Sequence, residues 1–183
     1  MGTDVEIRRI RAEEWREVRD CRLEALQDPL APLAFLETYG EASAEPDDFW
    51  RARAAGGAEG SRVAQWVAIA DGAWVGTVAV IAFRAGEVDY YGAEVPEPRA
   101  NLIGVYVRPT HRRHGLVERL IATAAGWTAE QGFAELILDV HERNARAIGA
   151  YRRCGFQITG GRTVTEHGTD LVMRLSTEER SRP

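Results

Sequence analysis

Two stretches of this 183-residue chain hold residues whose types and spacing could do chemistry. In the first, Val107-Arg108-Pro109-Thr110-His111-Arg112-Arg113-His114-Gly115-Leu116-Val117 joins an apolar strand-like run to an amphipathic helical pattern. The opening amides of such a helix have no intrahelical partners. Gly115 lets backbone approach a ligand closely. Arg112, Arg113 and His114 gather positive charge in a chain whose net charge is -5. Together these features suit a phosphate or pyrophosphate; the alternative is a solvated basic surface. A P-loop is excluded because all 23 basic residues are Arg and none is Lys. The dinucleotide fingerprint G-x-G-x-x-G does not fit either.

In the second stretch, Leu138-Asp139-Val140 is followed by Asn144, Ala147, Tyr151, Gly155 and Phe156. Asn144 stands where a side chain can cap a helix. Ala147 is small and lies one turn on, so a ligand can pass closely. Tyr151 comes seven residues after Asn144, nearly two turns, and points to a similar side. By itself a helical tyrosine also suits a core position with one hydrogen bond.

The pattern V-x-P-x-x-R-R-x-G before an amphipathic helix resembles the acyl-CoA motif of the GNAT superfamily of N-acyltransferases. Asn144 to Phe156 is similar to that family's downstream N-x-x-A-x-x-x-Y-x-x-x-G-F segment. The likeness in element order covers about residues 3 to 175. It implies acetyl-CoA (coenzyme A after transfer) as cofactor and an N-acetyltransferase. The acetyl group would go to a primary amine of a small molecule or a protein N-terminus by direct attack.

The resemblance places the pyrophosphate on the amides of Arg112, Arg113, His114, Gly115, Leu116 and Val117. The pantetheine arm would follow the strand through Val105, Tyr106 and Val107, with Asn144 and Ala147 beside it. Val117 stands where the family usually has Gly or Ala; it keeps the N–H but crowds the phosphate path. The matching tyrosine, Tyr151, would protonate the departing thiolate. The chemistry is reasonable, since a phenol with a pKa near about 10 can donate to a thiolate of about 8.5.

An attacking amine must also lose a proton, and the family motif fixes no base. Glu87, Asp89, Glu94 and His141 are candidates, each against a reading as solvated surface. The acidic loop residues would favour a cationic acceptor. Tyr106 shares a strand face with Gly104 and Leu102, which suits an acceptor pocket. No metal is expected: His111 and His114 are three apart but sit in a basic loop, a poor ligand set, and His141 and His167 lack close cysteine or carboxylate partners at ligand spacing. A second class of function is a non-catalytic acyl-CoA-binding or sensory module.

The elements that must position these residues follow from periodicity. Strands are expected over 5–8, 65–70, 73–83, 101–107, 135–140, 157–163 and 169–175. Helices are expected over 12–26, 45–55, 112–131 and 144–153. Ala55 to Ser61 reads as a flexible turn and Arg84 to Ala100 as a long loop. Gly76 within a strand suggests a bulge or close backbone approach. The second half requires a parallel crossover, while the hairpins require antiparallel pairs. The expected fold is α/β: a mixed, mostly antiparallel sheet of about seven strands with helices on both faces.

Length suits one domain over 1–176, with 177–183 a polar tail that frays. Acidic balance disfavours a nucleic-acid binder. With no long apolar run and no signal-like start, neither a membrane span nor secretion is expected, and a cytoplasmic location follows. Cys21 and Cys154 are too few for a disulfide framework. A homodimer through the closing strands is expected.

Overall fold

A computed structural model describes residues 5–165 and 168–177. His167 and residues 178–183 lie outside the described part. Seven strands form one sheet in the order β1-β2-β3-β4-β5-β7-β6. They are β1 (Val5–Arg9), β2 (Val63–Ala70), β3 (Ala73–Phe83), β4 (Arg99–Val107), β5 (Glu135–His141), β6 (Gln157–Thr165) and β7 (Gly168–Ser176). Only β4 and β5 run parallel. The helix α4 (Leu116–Glu130) makes the crossover between them.

Alternation along β2 divides the core. Ala64, Trp66, Ala68 and Ala70 face α4, whose Leu120, Ile121 and Ala124 are fully buried. Val67 and Ile69 face α1 (Trp15–Ala25) and α3 (Asp47–Glu59), packing with Val18, Trp50 and Ala54. The helix α5 (Ala145–Arg153) joins the α4 cluster through Ile148. Both faces are therefore covered, as expected.

The feature that makes the site is the joint between β4 and β5. Only Ala100 with Leu136 and Asn101 with Ile137 are paired. Beyond them the strands part, and among the described residues β4 from Leu102 onward has no strand partner on that side. A bulge in β4 contributes. Thr77 faces Tyr106 and Ala79 faces Ile103, so two steps of β3 span three of β4. Gly104, at φ +61°, takes the left-handed conformation the bulge needs. Gly76 is a close approach: a Cβ there would lie 3.1 Å from the Tyr106 carbonyl oxygen.

Several local expectations are corrected. The helix α3 runs to Glu59 through most of the supposed flexible turn. Gly57 packs there so tightly that a Cβ would lie 3.1 Å from both Gln65 Cβ and Ile10 Cδ1. A short helix, α2 (Tyr39–Ala44), went unread although Thr38 and Glu41 form a capping box. The helix over 112–131 starts only at Leu116, because Arg113 (φ +66°) and Gly115 (φ +74°) are left-handed. The 84–100 loop carries an isolated bridge between Val88 and Glu94. Thr177 does not fray: it is buried, its N–H donates to Ala134 O at 2.9 Å and its hydroxyl to Phe133 O at 2.6 Å.

Candidate active site

The turn before α4 presents backbone donors. Among the described residues no side chain caps that helix, and Gly115 at its N-cap leaves open space where a Cβ would be. Arg113 is exposed and has no hydrogen bond or ion pair among the described residues. Arg112 is occupied: its Nε donates to Val107 O at 2.7 Å and its Nη2 to Asp28 at 2.6 Å. Asp28 also pairs with Arg146 at 3.3 Å. Burial would raise the Asp28 carboxyl, yet the Arg112 and Leu30 hydrogen bonds and the Arg146 charge bring it below its ordinary value. Arg112 is thus a brace for the turn rather than an open cation.

A cleft of about 870 Å³ lies over this turn, between the start of α4 and α5. Val105, Tyr106, Val107, Arg112, Arg113, Gly115, Leu116, Val117, Ala147 and Tyr151 line it. His114 is not in its wall. Val117 faces the cleft but also packs against the core. Asn144 lines a second cavity instead. Its side-chain oxygen accepts from the Ala147 N–H at 3.1 Å, capping α5, and its Nδ2 donates to Leu33 O at 3.4 Å.

The second cavity, of about 390 Å³, adjoins the first on the α1 and α3 side of the sheet. Val105, Tyr106, Ala147 and Tyr151 line both. They mark where the two spaces meet, beside the gap between β4 and β5. The Tyr151 ring packs edge-on against Phe156 with centroids 5.8 Å apart. Its hydroxyl has no hydrogen-bond partner among the described residues. Burial, helped by Cys154, pushes the phenol well above its ordinary value, so it stays protonated. Tyr106 donates to Glu24 at 3.0 Å, and burial raises its phenol too. Both cysteines are buried. Burial moves the Cys21 thiol up to about 12, which makes it inert.

One end of the second cavity is acidic. Asp139 and His141 share a face of β5, and Asp170 lies opposite His141 on β7. The Tyr90 hydroxyl donates to Asp139 at 2.7 Å and the Tyr91 hydroxyl to Asp170 at 2.7 Å. Asn101 Nδ2 donates to Tyr90 at 2.8 Å. Burial raises the Asp139 carboxyl, Tyr90 and Arg99 oppose the rise, and the Asp170 charge adds to it. His141 Nδ1 accepts from the Arg143 N–H at 3.1 Å. In the neutral ring its proton therefore sits on Nε2, which faces Gly168.

The three loop carboxylates are placed elsewhere. Glu87 accepts from the Arg84 N–H at 3.1 Å and pairs with Arg62 at 3.3 Å. Asp89 accepts from the amides of Tyr91 and Ala93 and from Arg99 at 2.6 Å. Glu94 is exposed in the bridge with Val88. None lines the cavity: the loop turns its two tyrosines toward it, while Asp89 is buried against the loop's own amides and Arg99. Of the four proposed bases only His141 is in the wall, and Asp139 and Asp170 were missed. Alternation gave a usable signal for Asp139: Leu136, Leu138 and Val140 are buried under α4, so residues 137, 139 and 141 must face the other way.

The other end of the cavity is basic. Arg22 pairs with Glu37 at 2.5 Å, and Arg53 projects from α3 beside them. Gln65 Nε2 donates to the Thr77 hydroxyl at 3.0 Å, which in turn donates to Trp66 O.

The sequence that builds this turn, cleft and tyrosine matches the model of the Acetyltransferase (GNAT) family over residues 12–156. The chain belongs to the GNAT family. Human N-acetyltransferase 8B is 27% identical over 124 residues, which is 64% of this chain and 52% of that protein. The chain thus spans about half the length of that relative. Solved GNAT structures share the fold. An acetyltransferase of the family from Streptococcus pneumoniae superposes with a TM-score of 0.74 at 17% identity, covering 94% of this chain and 99% of that one. PaiA N-acetyltransferase from Thermoplasma acidophilum, solved in complex with coenzyme A, gives 0.71 at 18% identity over 94% and 99%. Among the described residues no His, Cys, Asp or Glu cluster is arranged to hold a metal, and no helix is long and apolar enough to cross a membrane.

Proposed function

We propose that this GNAT chain is an N-acetyltransferase that moves an acetyl group from acetyl-CoA to a primary amine of a small molecule or a protein N-terminus. The observation that carries the reading is Tyr151, a protonated phenol without a protein partner at the meeting point of two cavities. A core tyrosine would have used its hydroxyl on a buried neighbour.

The first cavity fits coenzyme A. The uncapped amides of α4 and the exposed Arg113 would hold its pyrophosphate. The unpaired edge of β4 from Leu102 to Val107 offers backbone groups to an extended arm. Bound there, acetyl-CoA supplies an activated thioester at the junction. Amides of the same β4 edge are placed to stabilise negative charge developing on the acyl oxygen. Tyr151 holds the proton that the leaving sulfur needs. Asp139, its proton affinity raised by burial, takes the proton that the arriving ammonium must lose. His141 lies two residues on along the same strand face. The acceptor enters through the second cavity, opposite the cofactor cleft. A homodimer fits through β6, whose outer edge has no strand partner among the described residues and exposes Val164.

The test is a broad amine panel with detection of released thiol and mass analysis of products. Acetylation of at least one amine, abolished or strongly slowed in Tyr151→Phe, supports the reading. Coenzyme A binding with no turnover across the panel favours a non-catalytic acyl-CoA-binding module instead.

A further inference from the structure

Arg53 is out of place as a structural residue. On α3 the buried positions are Trp50, Ala54 and Gly57, the stripe that packs on the sheet. Arg53 adjoins that stripe and lines the acceptor cavity, half-buried. Its guanidinium lies 5.8 Å from the Trp50 ring centroid. It has no hydrogen bond and no ion pair among the described residues. The nearest available carboxylate, Glu37, is held by Arg22 at 2.5 Å. Arg22 and Glu37 cancel, so this end of the cavity carries one uncompensated positive charge. Burial and the neighbouring Arg22 both lower its affinity for a proton, while Glu37 partly opposes them. A desolvated guanidinium is stabilised by a planar anion that accepts two of its five donors. Nothing in the fold supplies one.

The cavity is therefore polar along its length. Arg53 sits over the β2 and β3 end with Gln65 and Thr77, and Asp139 and Asp170 sit at the β5 and β7 end. From β2 to β5 is three strand positions, on the order of 14 Å before side chains reach inward. A polyamine would meet a carboxylate at one end and a like charge at the other.

We propose that Arg53 binds a carboxylate of the acceptor. The substrate class is then an amine that also carries a carboxylate several bonds from the reacting nitrogen, such as an amino acid side chain amine or a short peptide. This rests on the acetyl-transfer reading above and narrows it. The reacting amine lies toward Tyr151 and Asp139, and the carboxylate lies toward α3.

Matched pairs that differ only in the carboxylate test this. They are lysine against cadaverine, 6-aminohexanoate against hexylamine, and triglycine against its C-terminal amide. In at least one pair the carboxylate member should have a KM about 10-fold or more below its partner. Arg53→Gln should erase that preference while leaving coenzyme A affinity unchanged, and Arg53→Lys should restore part of it. Thiol release from carboxylate-free amines equal to or better than from their partners in every pair overturns the proposal but leaves acetyl transfer standing. So does a preference that survives Arg53→Gln. If no compound is turned over, which counts against the acetyl-transfer reading, thermal unfolding of the coenzyme A-loaded protein decides. Stabilisation by the carboxylate members only, lost in a folded Arg53→Gln protein, supports the site. Absence of any carboxylate-specific stabilisation overturns it.

Discussion

The Tyr90 hydroxyl donates to the Asp139 carboxylate at 2.7 Å and fastens the 84–98 loop to the middle of β5. The bond opposes the upward push that burial exerts on Asp139. Tyr90→Phe removes it and leaves the carboxylate less satisfied. The Asp139 pKa should rise further, so the acidic limb of the kcat/KM profile should move to higher pH. A stability loss of about 1–3 kcal/mol should accompany it in urea unfolding. An unmoved acidic limb would show that Asp139 is not the group titrating in the rate.

Tyr151→Phe keeps the ring against Phe156 and deletes a hydroxyl that has no protein partner. Stability should hardly change. The single-turnover rate constant should fall by about 10-fold to 10⁴-fold, with coenzyme A affinity near wild type. A chemical step as fast as wild type removes Tyr151 from the mechanism.

Asp28 holds the turn before α4 through Arg112 and reaches α5 through Arg146. Its folded-state carboxyl lies below its ordinary value. Such a group contributes stability above its unfolded pKa of about 4, and that contribution is lost as pH falls through the lower folded value. Asp28→Asn should lower the melting temperature at pH 7 and flatten its fall on acidification below about pH 4. Coenzyme A affinity, read by calorimetry, should drop as the turn loosens. Equal affinity would show that the turn holds its shape without this brace.

Gly168 sits at φ +130°, and a Cβ there would lie 2.5 Å from His141 Nε2. Gly168→Ala must displace the imidazole or the strand. Turnover should fall while coenzyme A binding persists, because the cleft over the start of α4 is on the other side of Tyr151. Stability should fall by about 1–3 kcal/mol. Normal turnover in the variant would mean that His141 can move without consequence.

Strands and long helices were legible because period and burial agree there. The 101–153 order of strand, helix, parallel strand and helix is present, and Gly132 follows α4 at φ +85°. The glycine turn before α4 was legible from Gly115. Its side-chain roles were not, because Arg112 is taken by Asp28, a residue 84 positions away. The same applies to the acidic wall. Tyr91 meets Asp170 across 79 positions, a contact that no local pattern encodes. Loop acidity misled, since Asp89 spends its oxygens on the loop's own amides and on Arg99. Arg53 went unnoticed because a charge beside an apolar helix stripe looks like a solvated flank until the cavity beneath it is seen.

The two residue pairs that join β4 to β5 also mark the most thinly laced joint of the sheet. Strands β1 to β4 come from the first part of the chain, and β5, β7 and β6 from the last. Each group is laced by its own antiparallel ladders, whereas the seam between them has little lacing. The two groups form plates whose backbone lacing is thin at the seam, although one hydrophobic cluster with α4 spans both, and amides beside the seam should exchange with solvent faster than those within either plate. Anything that bonds to the free edge of β4 while touching α5 bridges the plates. Occupancy of the cleft should then slow exchange at the seam, because a filled seam gives the two plates a second tie beside their shared core.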